Sequence, residues 1–384
     1  MSASITRIRI AAVVGLASVL AAGLMSAAHA GAPREEPWTP TPGTPCDVGM
    51  SHTHNGLVWT CVRVKDKKTG KFRYVWSKPT FADNADGDLR YIESIPVKDT
   101  WTLGPLALDS QDMDFMPVDP EAVALPDGRV RLIVDEPDGA ATLHTYTSTD
   151  GVTFTPEAPT FNATFPSVVR LADGRYRMYF TRFSPEASTE QILSAVSDDA
   201  LNWTQEPGVR GMGAESSAVI LKDGRTLMAI RRASPTPLKP GRSCNTEGSS
   251  IWLAVSQDGL TFSEPKLAVD GAKERALSGR AYGVELARMV DGKVMMYYEG
   301  CIPMFATPVN EKTLKLGKPV RSSLRGPGTA EHFGFPDTGD GVYGGDVSII
   351  IREGQNWVYF STRSLDGDSR WGGVRQRVVI ATKG

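Results

Sequence analysis

The sequence predicts an all-β protein in which one unit of short strands is repeated five times. A ten-residue segment that ends in a tight turn recurs along the chain, a second strand follows each turn, and no helical periodicity separates the units. The segments read DPEAVALPDG (119–128), FPSVVRLADG (165–174), ESSAVILKDG (215–224), GVELARMVDG (283–292) and GDVSIIIREG (345–354).

Each segment reads as a strand that enters a hairpin, because Asp-Gly and related pairs favour two-strand turns. The second strands are RVRLIVDE, RYRMYFTR, RTLMAIRR, KVMMYYEG and QNWVYFST, and third strands such as ATLHTYTS follow several of them. Short strands repeated at this spacing are typical of β-propeller blades, with a β-sandwich as the alternative. We expect a five-bladed β-propeller over residues 81–384, closed by pairing of the 85–115 region with RQRVVIATK near the C-terminus.

The N-terminal region predicts export and a small separate module. Residues 1–30 combine Arg7 and Arg9, a long apolar run and the small-residue sequence AHA, which is the pattern of a cleaved signal peptide. Residues 31–80 read as a β-hairpin module and linker, with one turn at Asn55-Gly56 and Cys46 and Cys61 flanking the first hairpin. We therefore expect a secreted protein whose N-terminal module is linked by a disulfide.

Composition narrows the classes of partner. The formal net charge is −2, so no basic surface favours nucleic acid. After the signal peptide, no apolar run is long enough to span a bilayer, and we expect a soluble monomer. Cys244 and Cys301 are the second pair expected to form a disulfide, since export permits it.

A second repeated feature follows the third strands. The segments STDGVTF (148–154), SDDALNW (197–203) and SQDGLTF (256–262) share Ser-x-Asp, a turn and an aromatic residue. They resemble shortened versions of the Asp-box turns of sialidases. Their side chains suit a structural role, in which Ser and Asp tie the turn backbone and the aromatic fills the space between strands. We therefore place no catalytic role on Asp150, Asp198 or Asp258.

The candidate site follows from the propeller geometry, in which the first strand of each blade lines the central channel and the second runs antiparallel to it. The start of strand one and the end of strand two then share one mouth. Counting back eight positions from each turn acid gives Asp119, Phe165, Glu215, Gly283 and Gly345. Counting forward nine gives Glu136, Arg182, Arg232, Gly300 and Thr362, with Tyr282, Glu285, Glu299, Asp346 and Arg363 close by. The side chains expected to bind substrate are Arg182, Arg232, Tyr282, Glu285, Glu299, Asp346 and Arg363.

This distribution resembles the five-bladed propeller glycoside hydrolases of the arabinanase, β-xylosidase and β-fructosidase type. The resemblance covers roughly residues 105–384 and implies that Asp119 acts as base or nucleophile and Glu215 as general acid. The family places a further Asp where this chain has Phe165. Either another acid such as Asp346 or Glu285 substitutes, or the chemistry differs, or the protein binds sugar without cutting it.

Asp119 and Glu215 also support a chemical hypothesis that does not depend on the family resemblance. Hydrolysis of a glycosidic bond needs one acid to protonate the leaving oxygen and one carboxylate to activate water or attack carbon. Two acids on non-adjacent blades favour the wider spacing of an inverting enzyme. The expectation is that Glu215 has a raised pKa and donates the proton, while Asp119 stays ionised.

The arginines allow an alternative with an anionic sugar. Arg182, Arg232 and Arg363 lie at or beside one repeat position, and guanidinium groups bind carboxylates bidentately. Sialidases use such a cluster, with a tyrosine nucleophile for which Tyr282 or Tyr298, beside Glu299, are the candidates. A carbohydrate or cell-wall binding propeller without catalysis is the other alternative.

No cofactor is predicted. His332 lies in the approach to the fifth unit, where related glycosidases often carry a histidine near the channel axis, sometimes beside a metal ion such as calcium. A plain loop histidine is the default interpretation.

Overall fold

A computed structural model describes residues 45, 51–54, 57–65, 71–76, 80–81, 95–136, 141–238, 248–274, 277, 279–300, 304–325, 345–364 and 375–383. Within these ranges the protein is all-β apart from short 3₁₀ turns, and no helix in them is long and apolar enough to cross a membrane. In chain order the strands are β1 Ser51–His54, β2 Leu57–Lys65, β3 Phe72–Trp76, β4 Thr80–Phe81, β5 Val97–Asp109, β6 Val118–Ala124, β7 Val130–Glu136, β8 Thr142–Ser148, β9 Thr155–Asn162, β10 Thr164–Arg170, β11 Tyr176–Ser184, β12 Thr189–Ser197, β13 Thr204–Gln205, β14 Gly211–Met212, β15 Ala214–Ile220, β16 Thr226–Ala233, β17 Ser249–Ser256, β18 Lys266–Asp270, β19 Tyr282–Arg288, β20 Val294–Glu299, β21 Met304–Val309, β22 Val320–Arg325, β23 Gly345–Arg352, β24 Gln355–Ser364 and β25 Arg375–Lys383.

The strands after β5 form antiparallel hairpin sheets in sequence order. Three sheets contain β6 to β9, β10 to β14, and β15 to β18, and a larger sheet has the order β19-β20-β21-β22-β5-β25-β24-β23. Each repeated segment of the sequence is the first strand of one such series, and each predicted second strand pairs with it. The repeat therefore corresponds to a hairpin-connected sheet, as the sequence predicts.

The thirteen-residue strand β5 joins the last two series. Its first half pairs in parallel with β22, and its second half pairs antiparallel with β25. The predicted pairing of the 85–115 region with the C-terminal strand is confirmed, whereas the contact with β22 was not predicted. Strand β5 thus lies between two sheets that would otherwise end in unpaired edges.

The first strands of the five series close into a ring through one type of hydrogen bond. We call them the inner strands: β6, β10, β15, β19 and β23. A serine or a glutamate of each strand accepts a hydrogen bond from a backbone N–H of a neighbouring inner strand. This acceptor is the third residue of the repeated segment in β6, β10, β15 and β19, and the fourth in β23. The bonds run from Val168 to Glu121, Ala218 to Ser167, Leu286 to Ser217, Ile349 to Glu285 and Ala122 to Ser348, at 2.5 to 3.1 Å. We call these five acceptors the belt.

Every inner strand begins with a bulge at which its pairing with the second strand shifts register. One residue in each bulge has the left-handed backbone conformation, which is unfavourable for residues other than glycine. These residues are Asp119 (φ 47°), Phe165 (φ 50°), Glu215 (φ 47°), Gly283 (φ 54°) and Asp346 (φ 49°). Strained backbone of this kind concentrates at functional sites.

The sheets pack on each other through apolar faces, and buried tyrosines fix neighbouring series together. Tyr359 donates its O–H to the carbonyl of Gly151, and Tyr179 does the same to Gly259, both at 2.8 Å. Each acceptor belongs to a Ser-x-Asp turn of the adjacent series. The aromatic residue of the turn packs edge-on against the same tyrosine, as Phe262 does against Tyr179.

The Ser-x-Asp turns are held by their own side chains. Asp150 accepts hydrogen bonds from the N–H groups of two following residues and from Ser148, and Asp258 does the same in its turn. In the middle turn the residue in this role is Asp199, which bonds Ser197, rather than Asp198. The third residue of the motif, counted from the serine, therefore carries the contacts in all three turns.

The N-terminal strands form a small sheet in which β2 pairs with β1, β3 and β4. The pairing of His54 with Leu57 confirms the hairpin predicted around Asn55-Gly56. No disulfide is found in the part of the chain that is described, and Cys46, Cys244 and Cys301 lie outside it. Both predicted disulfides therefore stay predictions, as does the signal peptide over residues 1–30.

Candidate active site at the mouth of the central cavity

The starts of the five inner strands surround one cavity. Each strand contributes the residue with left-handed backbone and the one or two residues that follow it. The lining is Asp119, Pro120, Glu121, Phe165, Pro166, Ser167, Glu215, Ser216, Ser217, Gly283, Val284, Glu285, Asp346 and Val347. The bulged positions form the mouth and remain partly open to solvent, except for buried Gly283, while the belt lies deeper.

Asp119 and Asp346 come from neighbouring inner strands and are hydrogen-bonded to each other. Two carboxyl groups can share such a bond only if one of them carries a proton. Burial, followed by the charges of Asp346, Asp135 and Glu215, raises the pKa of Asp119 well above its ordinary value. Burial and the charge of Glu215 also raise the pKa of Asp346. The pair is therefore suited to hold a proton at a pH above the ordinary pKa of an aspartate.

The carboxylate of Glu215 has a cation and a backbone N–H as partners. Its Oε1 is 3.1 Å from Nε of Arg231, and its Oε2 accepts a hydrogen bond from the backbone N–H of Gly283 at 3.1 Å. Glu215 is also the largest cause of the raised pKa of Arg231. These contacts position the carboxylate of Glu215, and the prediction that it donates the proton stays a prediction.

Two further carboxylates reach the mouth from the ends of second strands. Asp135 accepts a backbone hydrogen bond from Phe165, and burial raises its pKa to about 7. Glu299 accepts a hydrogen bond from the backbone N–H of Asp346 at 2.6 Å. Burial and the charge of Asp346 raise the pKa of Glu299 well above its ordinary value.

The belt carries the deepest acids. Glu121 and Glu285 are 6% and 7% exposed, and each accepts a hydrogen bond from a serine hydroxyl as well as from the backbone. Burial, then the charge of Glu285, raises the pKa of Glu121, and burial raises that of Glu285 to about 7. Glu285, which the sequence predicts near the mouth, therefore lies deeper in the cavity than the mouth. It joins β19 to β23 through the hydrogen bond from Ile349.

The predicted arginines lie away from these carboxylates. Arg182 extends over the ring of Phe180 and bonds Gln205, and Arg232 extends over the ring of Trp252. The structure thus brings Asp119, Glu215, Asp346, Glu299 and Tyr282 together, but not Arg182 or Arg232. The side chain of Arg363 and all of His332 lie outside the described residues.

The arginine that the sequence reasoning missed is Arg231. At the end of each second strand, one residue faces the mouth. It is the residue that pairs with the inner-strand residue just before the bulge. These residues are Asp135, Thr181, Arg231, Glu299 and Ser361. Counting forward nine positions lands one residue too far, and a shift of one residue in a strand moves the side chain to the other face.

The same counting fails by one position in the fifth segment. The strand of that segment enters a two-residue turn at Glu353-Gly354, between the paired residues Arg352 and Gln355. The other hairpins have one more residue in the turn, as between Leu125 and Arg129. The bulged residue of the fifth strand is therefore Asp346 rather than Gly345.

No metal site is evident in the described ranges, where no three His, Cys, Asp or Glu side chains converge in a way that could hold an ion.

A closed ring of inner strands, with hairpin-connected strands outward from each, is the arrangement of a β-propeller. Solved structures with this fold include a family 43 β-xylosidase/α-arabinofuranosidase from a compost microbial metagenome, with TM-score 0.50 and 15% identity over 73% of this chain and 93% of that one. An endo-arabinase from Bacteroides thetaiotaomicron gives TM-score 0.50 and 15% identity over 73% and 98%. No protein-family model matches the sequence, and no curated protein sequence matches it. At such identities the likeness concerns the fold.

Proposed function

We propose that the protein is a glycoside hydrolase built on a five-bladed β-propeller, which cleaves a glycosidic bond at the mouth of the central cavity. One observation carries the proposal: Asp119, Glu215 and Asp346 occupy the same strained position on three inner strands around that cavity. Strained backbone that presents carboxylates to a solvent-accessible cavity is typical of a catalytic site. The enzymes with similar folds act on arabinose- and xylose-containing glycans, which are therefore the first substrates to test.

The proposed chemistry uses the two electrostatic environments. The Asp119–Asp346 pair holds the proton that the leaving glycosidic oxygen requires. Glu215, charged beside Arg231, accepts a proton from the attacking water. The oxygen of that water bonds the anomeric carbon while the bond to the leaving oxygen breaks, which inverts the configuration at that carbon.

Phe165 does not prevent this chemistry. The third carboxylate that the family resemblance places at that position is supplied instead by Asp346, which lies on the other side of Asp119 in the ring. Phe165 leaves an apolar ring at the mouth, beside which the face of a sugar can lie. The non-catalytic alternative therefore loses the argument that rested on the absent acid.

A neutral glycan fits the mouth better than an anionic sugar. Arg231 is paired with Glu215 and lies 3.6 Å from Glu190, and Arg280 is stacked on the ring of Tyr282 at 3.5 Å. A carboxylated sugar would have to displace these partners and approach several acidic groups. The sialidase-like alternative therefore receives no support from the arginines near the mouth.

We further propose that the protein is exported, that residues 1–30 are removed, and that the mature chain is a secreted monomer. The apolar run and AHA sequence support this. Expression in a host with a secretion pathway, followed by N-terminal sequencing of the protein in the medium, tests it. A protein retained in cells with its first residues intact would contradict it.

The catalytic proposal is tested with arabino- and xylo-oligosaccharides, other neutral oligosaccharides and a sialylated one. Product formation should depend on Asp119, so Asp119→Asn should suppress turnover of these oligosaccharides while retaining their binding. Proton NMR of the first product should show the inverted anomer. Binding without turnover by the parent protein across the panel would favour the non-catalytic alternative, and cleavage of the sialylated substrate alone would favour the sialidase-like one.

A further inference from the structure

The carboxylate of Glu299 lies beside a position at the mouth where an inner strand has no side chain. Four inner strands present a side chain at the bulged position, whereas β19 presents Gly283. Glu299, at the end of β20, is paired with Tyr282 directly before this glycine. Its side chain is 7% exposed, so it is held within the wall of the mouth.

Two glycines make this placement possible. A Cβ atom on Gly283 would lie 2.8 Å from Oε1 of Glu299, and a Cβ on Gly345 would lie 3.3 Å from the same oxygen. The first distance is shorter than real Cβ contacts, and the second is tight. Gly283 also has φ 54°, which glycine adopts without strain. Glycines on two neighbouring inner strands therefore leave room for one carboxylate from a second strand.

The carboxylate is bound on both sides. Oε1 accepts the hydrogen bond from the N–H of Asp346, and the phenol of Tyr282 is hydrogen-bonded to Glu299. The ring of Tyr282 is in turn covered by the guanidinium of Arg280. Asp346 has the left-handed conformation, φ 49°, so an acceptor on its N–H helps to hold an unfavourable backbone.

We propose that Glu299 is a positioning residue of the active site, which sets the backbone of Asp346 and thereby the Asp119–Asp346 pair. The inference rests on the proposed function and refines it, because Glu299 acts through Asp346 and not on the sugar. Tyr282 has the same type of role, because its hydrogen bond to Glu299 helps to hold that carboxylate in place. Both residues thus differ from the substrate-binding role that the sequence predicts for them.

The first test compares Glu299→Ala with Glu299→Gln. The amide oxygen of glutamine can still accept from the N–H of Asp346, so Glu299→Gln should keep most of kcat. Glu299→Ala should lower kcat by about 10²-fold, the cost of a small misplacement of a catalytic group, with KM little changed. Equal loss in both variants, or a loss expressed in KM alone, would overturn the positioning role.

The second test uses the glycine. Gly283→Ala should displace Glu299 and reproduce the loss of kcat. Gly292→Ala is the matched control, because that glycine lies on the same hairpin with φ 78° and a Cβ added there would meet nothing within 4 Å. In the Glu299→Ala background, Gly283→Ala should add little further loss. Fully multiplicative losses would mean that the glycine acts independently of Glu299, and would overturn the inference.

A readout without turnover separates this inference from the proposed function. Protein labelled with carbon-13 at the aspartate carboxyls reports the titration of Asp119 and Asp346 directly, with assignments from the Asp119→Asn and Asp346→Asn variants. Glu299→Ala should change the titration of both resonances, whereas Gly292→Ala should leave it as in the parent. An unchanged titration would overturn the inference even in an active enzyme, and a changed titration in a protein without glycosidase activity would sustain it while the proposed function fails.

Discussion

Asp119 on the first inner strand is hydrogen-bonded to Asp346 on the last inner strand. The bond therefore joins the two ends of the repeated region where the ring closes. Burial is the largest cause of the raised pKa of Asp119, and the charges of Asp346, Asp135 and Glu215 raise it further. Ring closure thus brings together two carboxyl groups whose pKa values are both raised.

Replacing Asp346 should change the pH profile of hydrolysis. Asp346→Asn removes the neighbouring charge that helps to raise the pKa of Asp119. The alkaline limb of kcat/KM, which reports the loss of the proton from the acid, should therefore move to lower pH. Asp127→Asn is the control, because Asp127 lies in the exposed turn of the hairpin that carries Asp119 and pairs with Arg129. An alkaline limb at the same pH in parent and variant would contradict the role of the pair.

Substrates with different leaving groups should distinguish the catalytic acid from the catalytic base. Asp119→Asn should slow hydrolysis of a natural oligosaccharide by roughly 10²–10⁴-fold, because the leaving oxygen then receives no proton. An aryl glycoside with a good leaving group needs little protonation and should suffer less. Glu215→Gln should slow both substrates alike, because neither then has a base for the attacking water.

The opposite result has a definite meaning. If Glu215→Gln spares the activated substrate and Asp119→Asn does not, Glu215 is the acid, as the family resemblance implies. The ion pair with Arg231 would then describe only the state without substrate.

The belt should make stability depend on pH. Burial raises the pKa of Glu285 from 4.5 to about 7, so the folded state binds more protons than the unfolded state between these values. The stabilisation is complete below pH 4.5, and the free energy of unfolding should fall as the pH rises to about 7, by roughly 3 kcal/mol at most. Urea unfolding at pH 5 and pH 8 measures the difference.

Glu285→Gln removes that titration and keeps a hydrogen-bond acceptor for the backbone. The difference in unfolding free energy between the two pH values should therefore shrink in the variant. Glu264→Gln, a change at a carboxyl outside the belt, should leave it as in the parent. An equal pH dependence in Glu285→Gln and the parent would show that the belt does not hold the proton.

The Ser-x-Asp turns should affect stability and not catalysis. Asp199→Ala removes the acceptor of the N–H groups of Leu201 and Asn202, and should lower Tm by roughly 2 °C with unchanged kcat. Asp198→Ala, one position earlier, is the matched control and should change Tm less. Calorimetry of the two variants decides, and a larger effect from Asp198→Ala would reverse the assignment of the turn residue.

Features of the fold that depend on local sequence were predicted correctly. Asp-Gly turns mark the hairpins directly, because the turn conformation depends on the residues in the turn itself. The start of each first strand follows at a fixed distance, which identifies Asp119, Phe165, Glu215 and Gly283. Asp346 was placed one residue away as Gly345, because a tighter turn shortens the fifth hairpin.

Strand faces were assigned wrongly from the sequence. A count that ends one residue too far selects Arg232 in place of Arg231, since adjacent residues of a strand point to opposite faces. The forward count also selects Glu136 where Asp135 faces the mouth. The second strands are buried on both faces, so no alternation of buried and exposed residues along them marks the face that points to the mouth.

The sequence alone therefore determined the all-β repeat, the turns that delimit it and the residues at the start of each first strand, because these depend on contacts among neighbours in the chain. Only the tertiary structure decided which charges meet. The Asp119–Asp346 hydrogen bond and the place of Glu299 between two glycines join residues of different repeats, and the Glu215–Arg231 ion pair joins two strands of one hairpin. Proton affinity depends on burial and on charges a few ångströms away, and those distances exist only in the folded protein.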